Sequence, residues 1–176
     1  MTGIQANPLD EFFTCDACTA GKITALPFPK KAERASAPLE RVHTDLFGPT
    51  RTATLGGAKY MLTFTDDYTR WTETYLIREK SDVTLKFHEY KNYAENHTGR
   101  KIKRVRSDNG GEYCNTGLDQ ALIDAGIKRE LTVPYTPQQI GVSERKNRTL
   151  IEPTRTMLYE SGLPKTFWGE AAITAC

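Results

Sequence analysis

From residue 39 onward the chain switches between two hydrophobic periods, and the switches predict its elements. Val42, Thr44 and Leu46 alternate with Arg41, His43 and Asp45. That is the period of a strand with one face on a core, ending at Asp45 and closed by Gly48-Pro49. Residues 60–65, a run of β-formers, follow the Gly56-Gly57 turn, and residues 71–77 follow Asp66-Asp67. Three such strands in succession predict an antiparallel meander. The period then lengthens: Val83, Phe87, Tyr90 and Ala94 recur at helical spacing between a Ser81 cap and Gly99, a helix over 81–96. Residues 102–107 read as a fourth strand, parallel because it is entered from a helix. A second helix over 116–125 stops at Gly126, and 127–131 is a short fifth strand. Residues 134–141 read as a loop, and a long helix starts near Val142.

The order βββ-α-β-α-β-α predicts the α/β class. The sheet is mixed and five-stranded, three antiparallel strands and then parallel ones, flanked by helices. Upstream, residues 1–14 show no period, and residues 19–38 with Pro27, Pro29 and Pro38 read as a linker. The expected organisation is residues 1–37 as a separate small module with its linker and residues 38–176 as the main domain.

Bulk properties narrow the classes. A chain of 176 residues suffices for one domain with a real core,. No apolar run approaches the roughly 18 residues of a membrane span, and the first residues lack a secretion pattern. An intracellular protein without a membrane partner is expected. Net charge is only +2, but residues 100–155 hold eleven Lys and Arg against seven Asp and Glu, so the basic excess is local. Without a secretion signal, Cys15, Cys18, Cys114 and Cys176 are expected as reduced thiols.

Three acids carry the candidate chemistry. Asp45 lies at a strand end, Asp108 in Arg106-Ser107-Asp108-Asn109-Gly110-Gly111-Glu112, and Glu144 at the start of the last long helix. Thirty-five residues separate the last two, enough for a helix, a strand and a loop. Singly, each acid has a plainer role: a strand-end turn, an Asp-Asn-Gly turn, a helix N-terminal carboxylate. Together they are the hard oxygen donors that a magnesium ion takes. Two such ions about 4 Å apart clamp the attacking and leaving oxygens of a phosphodiester. Asp45 is expected to bridge, with Asp108 on one ion and Glu144 on the other.

The words around these acids carry a resemblance. His43-Thr44-Asp45-Leu46-Phe47-Gly48-Pro49, Phe64-Thr65-Asp66-Asp67-Tyr68-Thr69-Arg70, Arg106 through Tyr113, and Tyr135-Thr136-Pro137-Gln138-Gln139 through Arg148 resemble the integrases of Copia-type retrotransposons. These belong to the retroviral integrase superfamily, with an RNase H-like catalytic core. The resemblance runs from about Cys15 to the C-terminus. It implies a polynucleotidyl transferase with catalytic, metal-binding Asp45, Asp108 and Glu144, using Mg²⁺ or Mn²⁺. The implied reaction is processing of element DNA ends and strand transfer into target DNA, in the nucleus, by a homo-oligomer in the full-length protein. Asp66 and Asp67 are then structural, and Glu112 stays unassigned.

For DNA contacts, Gln138, Gln139, Arg145, Lys146 and Arg148 flank Glu144 and are expected on phosphates. Lys101, Lys103, Arg104 and Arg106 are weaker candidates. Arg148 also suits an ion pair with Glu144 one turn away.

The chain departs from the family in four places. Cys15 and Cys18 match only the second half of a His-His-Cys-Cys zinc module. His43, His88 and His97 all lie downstream, so a vestigial pair rather than a closed four-ligand zinc site is expected. Ile140 replaces the usual Asn, and Pro153 falls inside the long helix, where a kink is expected. The sequence reads as a piece of a larger polyprotein. These departures keep open a second reading, a catalytically silent relic that only binds nucleic acid.

Overall fold

The computed structural model describes residues 34–132 and 137–176, with residues 137–144 described by their backbone alone. The expected zinc-module remnant, Cys15 and Cys18 among it, lies outside the described residues. The elements are β1 (Val42–Phe47), β2 (Tyr60–Asp66), β3 (Thr72–Ile77), α1 (Val83–Thr98), β4 (Arg104–Ser107), α2 (Thr116–Asp124), β5 (Lys128–Leu131), α3 (Pro137–Ser161) and α4 (Trp168–Thr174). Short 3₁₀ turns, Lys80–Asp82 and Lys165–Phe167, lead into α1 and α4.

The sheet runs β3-β2-β1-β4-β5. β1, β2 and β3 pair antiparallel, while β1–β4 and β4–β5 pair parallel. This is the expected mixed sheet. β1 lies in its middle, and in neighbouring β2 six of seven residues are buried. Alternation then splits the core in two. Val42, Leu62, Phe64 and Val105 face α1 and α2, and they pack with Phe87, Tyr90, Leu118 and Leu122. The opposite face sends Met61 and Phe47 against Leu150, Trp168 and Ala172 of α3 and α4. Burying each large side chain contributes about 1.5–3 kcal/mol, and these two seams hold the helices to the sheet.

Local chemistry sets the ends. Glu79 and Asp82 form a reciprocal capping box ahead of α1, and Gly99 closes α1 with a left-handed φ of 65°,. Asn115 caps α2 by accepting from the Leu118 amide at 2.8 Å,. Gly48 turns the chain out of β1 at φ 133°, where a Cβ would stand 2.7 Å from the Lys59 carbonyl oxygen, so a side chain there is excluded.

Two expectations need correction. β1 continues two residues past Asp45 to Phe47, because Leu46 and Phe47 still pair with Leu62 and Met61. The long helix begins at Pro137, not near Val142, so residues 137–141 are helical rather than loop. Proline suits a first helical position, where its missing N–H is not needed, and Gln138 and Gln139 therefore lie in the first turn of α3. Pro153 lies inside α3, as its place in the sequence implies, and the helix continues to Ser161. Pro153 is exposed, and as a proline it donates no hydrogen bond to the carbonyl one turn earlier.

Candidate active site

Parallel β1 and β4 pair at Val42↔Val105 and His43↔Arg106. Carried two residues further, that register brings Asp108 level with Asp45. The ladder stops short of this point, because β4 ends at Ser107. From β1 the chain leaves toward β2 on one side, and β4 lies on the other. Such a switch between neighbouring parallel strands opens a crevice at their carboxyl ends, where ligands bind in α/β sheets.

Asp45 is half-buried on the α3 side of the sheet. Its Oδ1 accepts from the Leu46 amide at 2.9 Å, and its Oδ2 accepts from Asn147 Nδ2 at 2.6 Å. Asn147 sits on α3, so this bond ties the helix to the end of β1. Asn147 Oδ1 is buried with no hydrogen-bond partner among the described residues. Asp108, also half-buried, accepts from the Gly110 amide at 2.9 Å. This Asx turn sets its carboxylate just past β4.

The Asp108 loop is clamped from three sides. Tyr113 is 1% exposed, and its hydroxyl meets Thr44 Oγ1 of β1 at 3.2 Å. Burial pushes the Tyr113 phenol well above its ordinary range, and the charges of Asp45, Asp108 and Glu112 push it further. The phenol stays protonated, and it senses both site aspartates. Lys80 bonds Glu112 at 3.1 Å, and a Cβ on Gly110 would stand 2.8 Å from the Glu112 carboxyl carbon. The carboxylate thus lies directly over Gly110. The Glu112 bond and charge, with a smaller contribution from Asp108, raise the pKa of Lys80. Asn109 Nδ2 reaches the Thr132 carbonyl at 3.4 Å.

Asp66 and Asp67 lie at the other end of the sheet. Asp66 pairs with Val42, whereas Asp45 pairs with Thr63. The Asp66 carboxylate accepts from the Leu39 and Thr69 amides at 2.8 Å each. Asp67 accepts from the Ala35 amide at 2.6 Å, from His43 Nε2 at 3.0 Å and from Arg70 at 3.2 Å. Burial lowers the pKa of His43, outweighing the pull of Asp67. Although burial alone would raise the Asp67 carboxyl, the hydrogen bonds from Ala35 and His43 hold it below its ordinary range. The pair is therefore a neutral imidazole donating to a carboxylate, not an ion pair. Both aspartates are structural, as expected.

The expected nucleic-acid residues divide. Arg145 and Arg148 are exposed and Lys146 is half-buried, all on α3. The side chains of Gln138, Gln139, Ile140 and Glu144 lie outside the described residues. Glu144 is in the second turn of α3, not the first, because the helix starts early. Of the weaker candidates, Lys101 is held by Glu95 at 2.7 Å, while Arg104 and Arg106 reach Glu130 at 3.4 and 2.7 Å, together with Arg41 at 3.1 Å. Desolvation opposes the charge on Glu130, but Arg106 and Arg41 outweigh it and lower its pKa. These cations are engaged in structural ion pairs. Among the described residues, no group of three or more His, Cys, Asp or Glu side chains is gathered closely enough to hold a metal ion.

Comparison with known proteins agrees with this fold. Residues 35–137 match the family model described as the integrase core domain. Over 162 residues, 92% of the chain, the sequence is 44% identical to the retrovirus-related Pol polyprotein from transposon TNT 1-94 of Nicotiana tabacum. It is 32% and 33% identical, over 96% of its length, to the corresponding polyproteins from transposons RE1 and RE2 of Arabidopsis thaliana. The chain spans 12% of the tobacco relative and 11% of each Arabidopsis one. Among solved structures, it resembles a chain in the cryo-EM structure of the simian T-cell lymphotropic virus intasome in complex with PP2A regulatory subunit B56 gamma. The TM-score is 0.64 at 19% identity, covering 82% of this chain and 49% of that one. At that identity the likeness speaks for the fold. A mixed sheet with its parallel strands parting at Asp45 and Asp108, and a family match across most of that sheet, lead to one conclusion: the chain belongs to the integrase core domain family, within the retroviral integrase superfamily.

Proposed function

We propose that this domain is the catalytic core of a Copia-type retrotransposon integrase that processes element DNA ends and joins them to target DNA. One observation carries the reading: the ends of β1 and β4 and the helix α3 converge at Asp45. Asn147 reaches the Asp45 carboxylate, and residues three apart on a helix stand one above the other. Glu144, three residues before Asn147, is the third acid of the reading. Asp45 and Asp108 offer half-buried carboxylates at a sheet crevice, hard oxygen donors that suit Mg²⁺ or Mn²⁺. The unpartnered Asn147 Oδ1 adds an oxygen acceptor at the same place.

In this reading Asp45, Asp108 and Glu144 hold two divalent cations. When bound, such ions activate a water or 3′-hydroxyl and stabilise the leaving 3′-oxygen. The chain's own residues fix the geometry. Asn147 and the Leu46 amide orient the Asp45 carboxylate, and the Gly110 amide orients that of Asp108. Tyr113, through Thr44, ties the Asp108 loop to β1. Arg145, Lys146 and Arg148, with Gln138 and Gln139, hold phosphates along α3 without reading bases. Element ends and target DNA are the substrates, the working form is a homo-oligomer, and the site of action is the nucleus. No described helix is long and apolar enough to cross a membrane.

The test is strand transfer of a short labelled duplex by the 176-residue chain in Mg²⁺ or Mn²⁺, against Asp108→Asn and Glu144→Gln. The expected result is metal-dependent joined product that falls at least a hundredfold in both variants. Equal signal in the wild type and both variants, with DNA binding retained, would leave only the silent nucleic-acid binder.

A further inference from the structure

Away from the acids, α3 and α4 meet the sheet around a cavity of about 830 Å³. That is within the range of small-ligand pockets, roughly 300–1,000 Å³. Its floor is apolar: Phe47 and Met61 from the sheet, Ile151 and Leu158 from α3, Trp168 and Ala172 from α4. Met61 is 1% exposed, Ala172 2% and Trp168 9%, so the floor is fixed by the core. The polar groups within it are already used. Trp168 Nε1 donates to the Thr52 carbonyl at 2.9 Å, and Thr154 Oγ1 donates to the Leu150 carbonyl at 2.6 Å.

The rim carries Arg51, Arg155 and Lys165, all exposed, and among the described residues no acid lines the cavity. None of the three forms an ion pair among the described residues. This contrasts with Arg41, Arg104 and Arg106, which converge on Glu130. Three uncompensated cations around an apolar floor complement one kind of occupant: anionic at its edges and apolar at its centre.

We infer that this cavity is a docking site for an acidic peptide segment that inserts a large apolar side chain between flanking carboxylates. Burying an anchor in a pocket while charged groups pair at the rim is the usual division of labour at such interfaces. A nucleic-acid backbone satisfies the rim but offers nothing apolar to the Met61–Trp168 floor. The site is independent of the catalytic reading, yet it adjoins it. Phe47 lies two residues beyond Asp45 on the same face of β1, and Ile151 lies one turn beyond Asn147 on α3. An occupant therefore touches both elements that meet at Asp45.

The probe is a fluorescein-labelled peptide with adjacent Leu and Phe flanked on each side by two glutamates, titrated into the 176-residue chain. Polarisation gives affinity, and the indole N–H resonance of Trp168, distinguishable from Trp71 by a Trp71→Phe control, reports the place. Saturable binding that shifts the Trp168 signal is expected. Replacing the glutamates by glutamines, or Leu and Phe by alanines, weakens it at least tenfold. So does Arg155→Glu with Lys165→Glu, exposed changes that leave the thermal midpoint within a few degrees. Absence of binding up to millimolar peptide overturns the inference. So does binding that ignores the charge reversal or leaves the indole signal in place, or an indole shift produced by a DNA duplex and not by the peptide.

Discussion

His43 shows how one buried side chain sets a pH limit on the fold. It is 3% exposed, donates to Asp67, and burial holds its pKa below the ordinary 6.5. A depressed folded value means that the unfolded chain takes up the proton first as pH falls. The stability it contributes is complete above about pH 6.5 and is lost as pH drops through the folded value, with a slope of at most about 1.4 kcal/mol per pH unit. Asp67, depressed from 3.8, adds a second loss in stronger acid by the same sign. Urea midpoints between pH 8 and 5 should fall for the wild type and stay nearly flat for His43→Gln. A wild-type midpoint that does not move over that range would show that His43 is not the titrating group. The neighbouring words carried Asp66 and Asp67 as structural, but not the partners. Nothing in Phe64-Thr65-Asp66-Asp67 shows that one carboxylate braces Leu39 and the other His43, because both contacts cross the sheet. Tyr113 and Asn147 were missed for a related reason. Asn147 had a local signal, its place three residues after Glu144, whereas the Tyr113–Thr44 contact joins residues whose meeting depends on the β1–β4 register.

At the scale of elements, the periods placed all five strands and the first two helices within about two residues. Strand alternation and helical spacing are local properties of buried faces, so they survive in the sequence. The start of α3 was not legible. Pro137 and Gly141 both read as loop residues, yet a proline at a first helical position and one glycine inside a long helix are both tolerated. What holds the helix is the stripe Asn147, Leu150, Thr154 and Leu158 against the sheet, not its intrinsic preference. Pro153 is the converse case. It lies on the exposed side of α3, so it forfeits a hydrogen bond without disturbing the packed stripe. Pro153→Ala should stabilise the domain by up to about 3 kcal/mol, read as a raised thermal midpoint with the far-ultraviolet helical signal intact. An unchanged or lowered midpoint would mean that the helix depends on a bend at this residue.

For the molecule as a whole, the order of three acids and their neighbouring words was more informative than composition. A net charge of +2 is unremarkable, and several cations of residues 100–155 are held in ion pairs by Glu95, Glu130 and Asp119. The sheet accounts for the first two acids. The register of parallel β1 and β4 carries Asp45 and Asp108 to the same level at the strands' carboxyl ends, and Asn147 of α3 reaches Asp45. The apolar cavity beneath α3 and α4 was invisible in the sequence, since its lining comes from three separated segments. The proposed activity requires Asp45, Asp108 and Glu144 to share divalent cations at these strand ends. Anomalous diffraction from crystals of the chain soaked in Mn²⁺ tests it most directly. Manganese is expected between the Asp45 and Asp108 carboxylates, with Glu144 within coordination distance. Manganese bound elsewhere, or a Glu144 carboxylate turned to the far side of α3 in the loaded crystal, would contradict it.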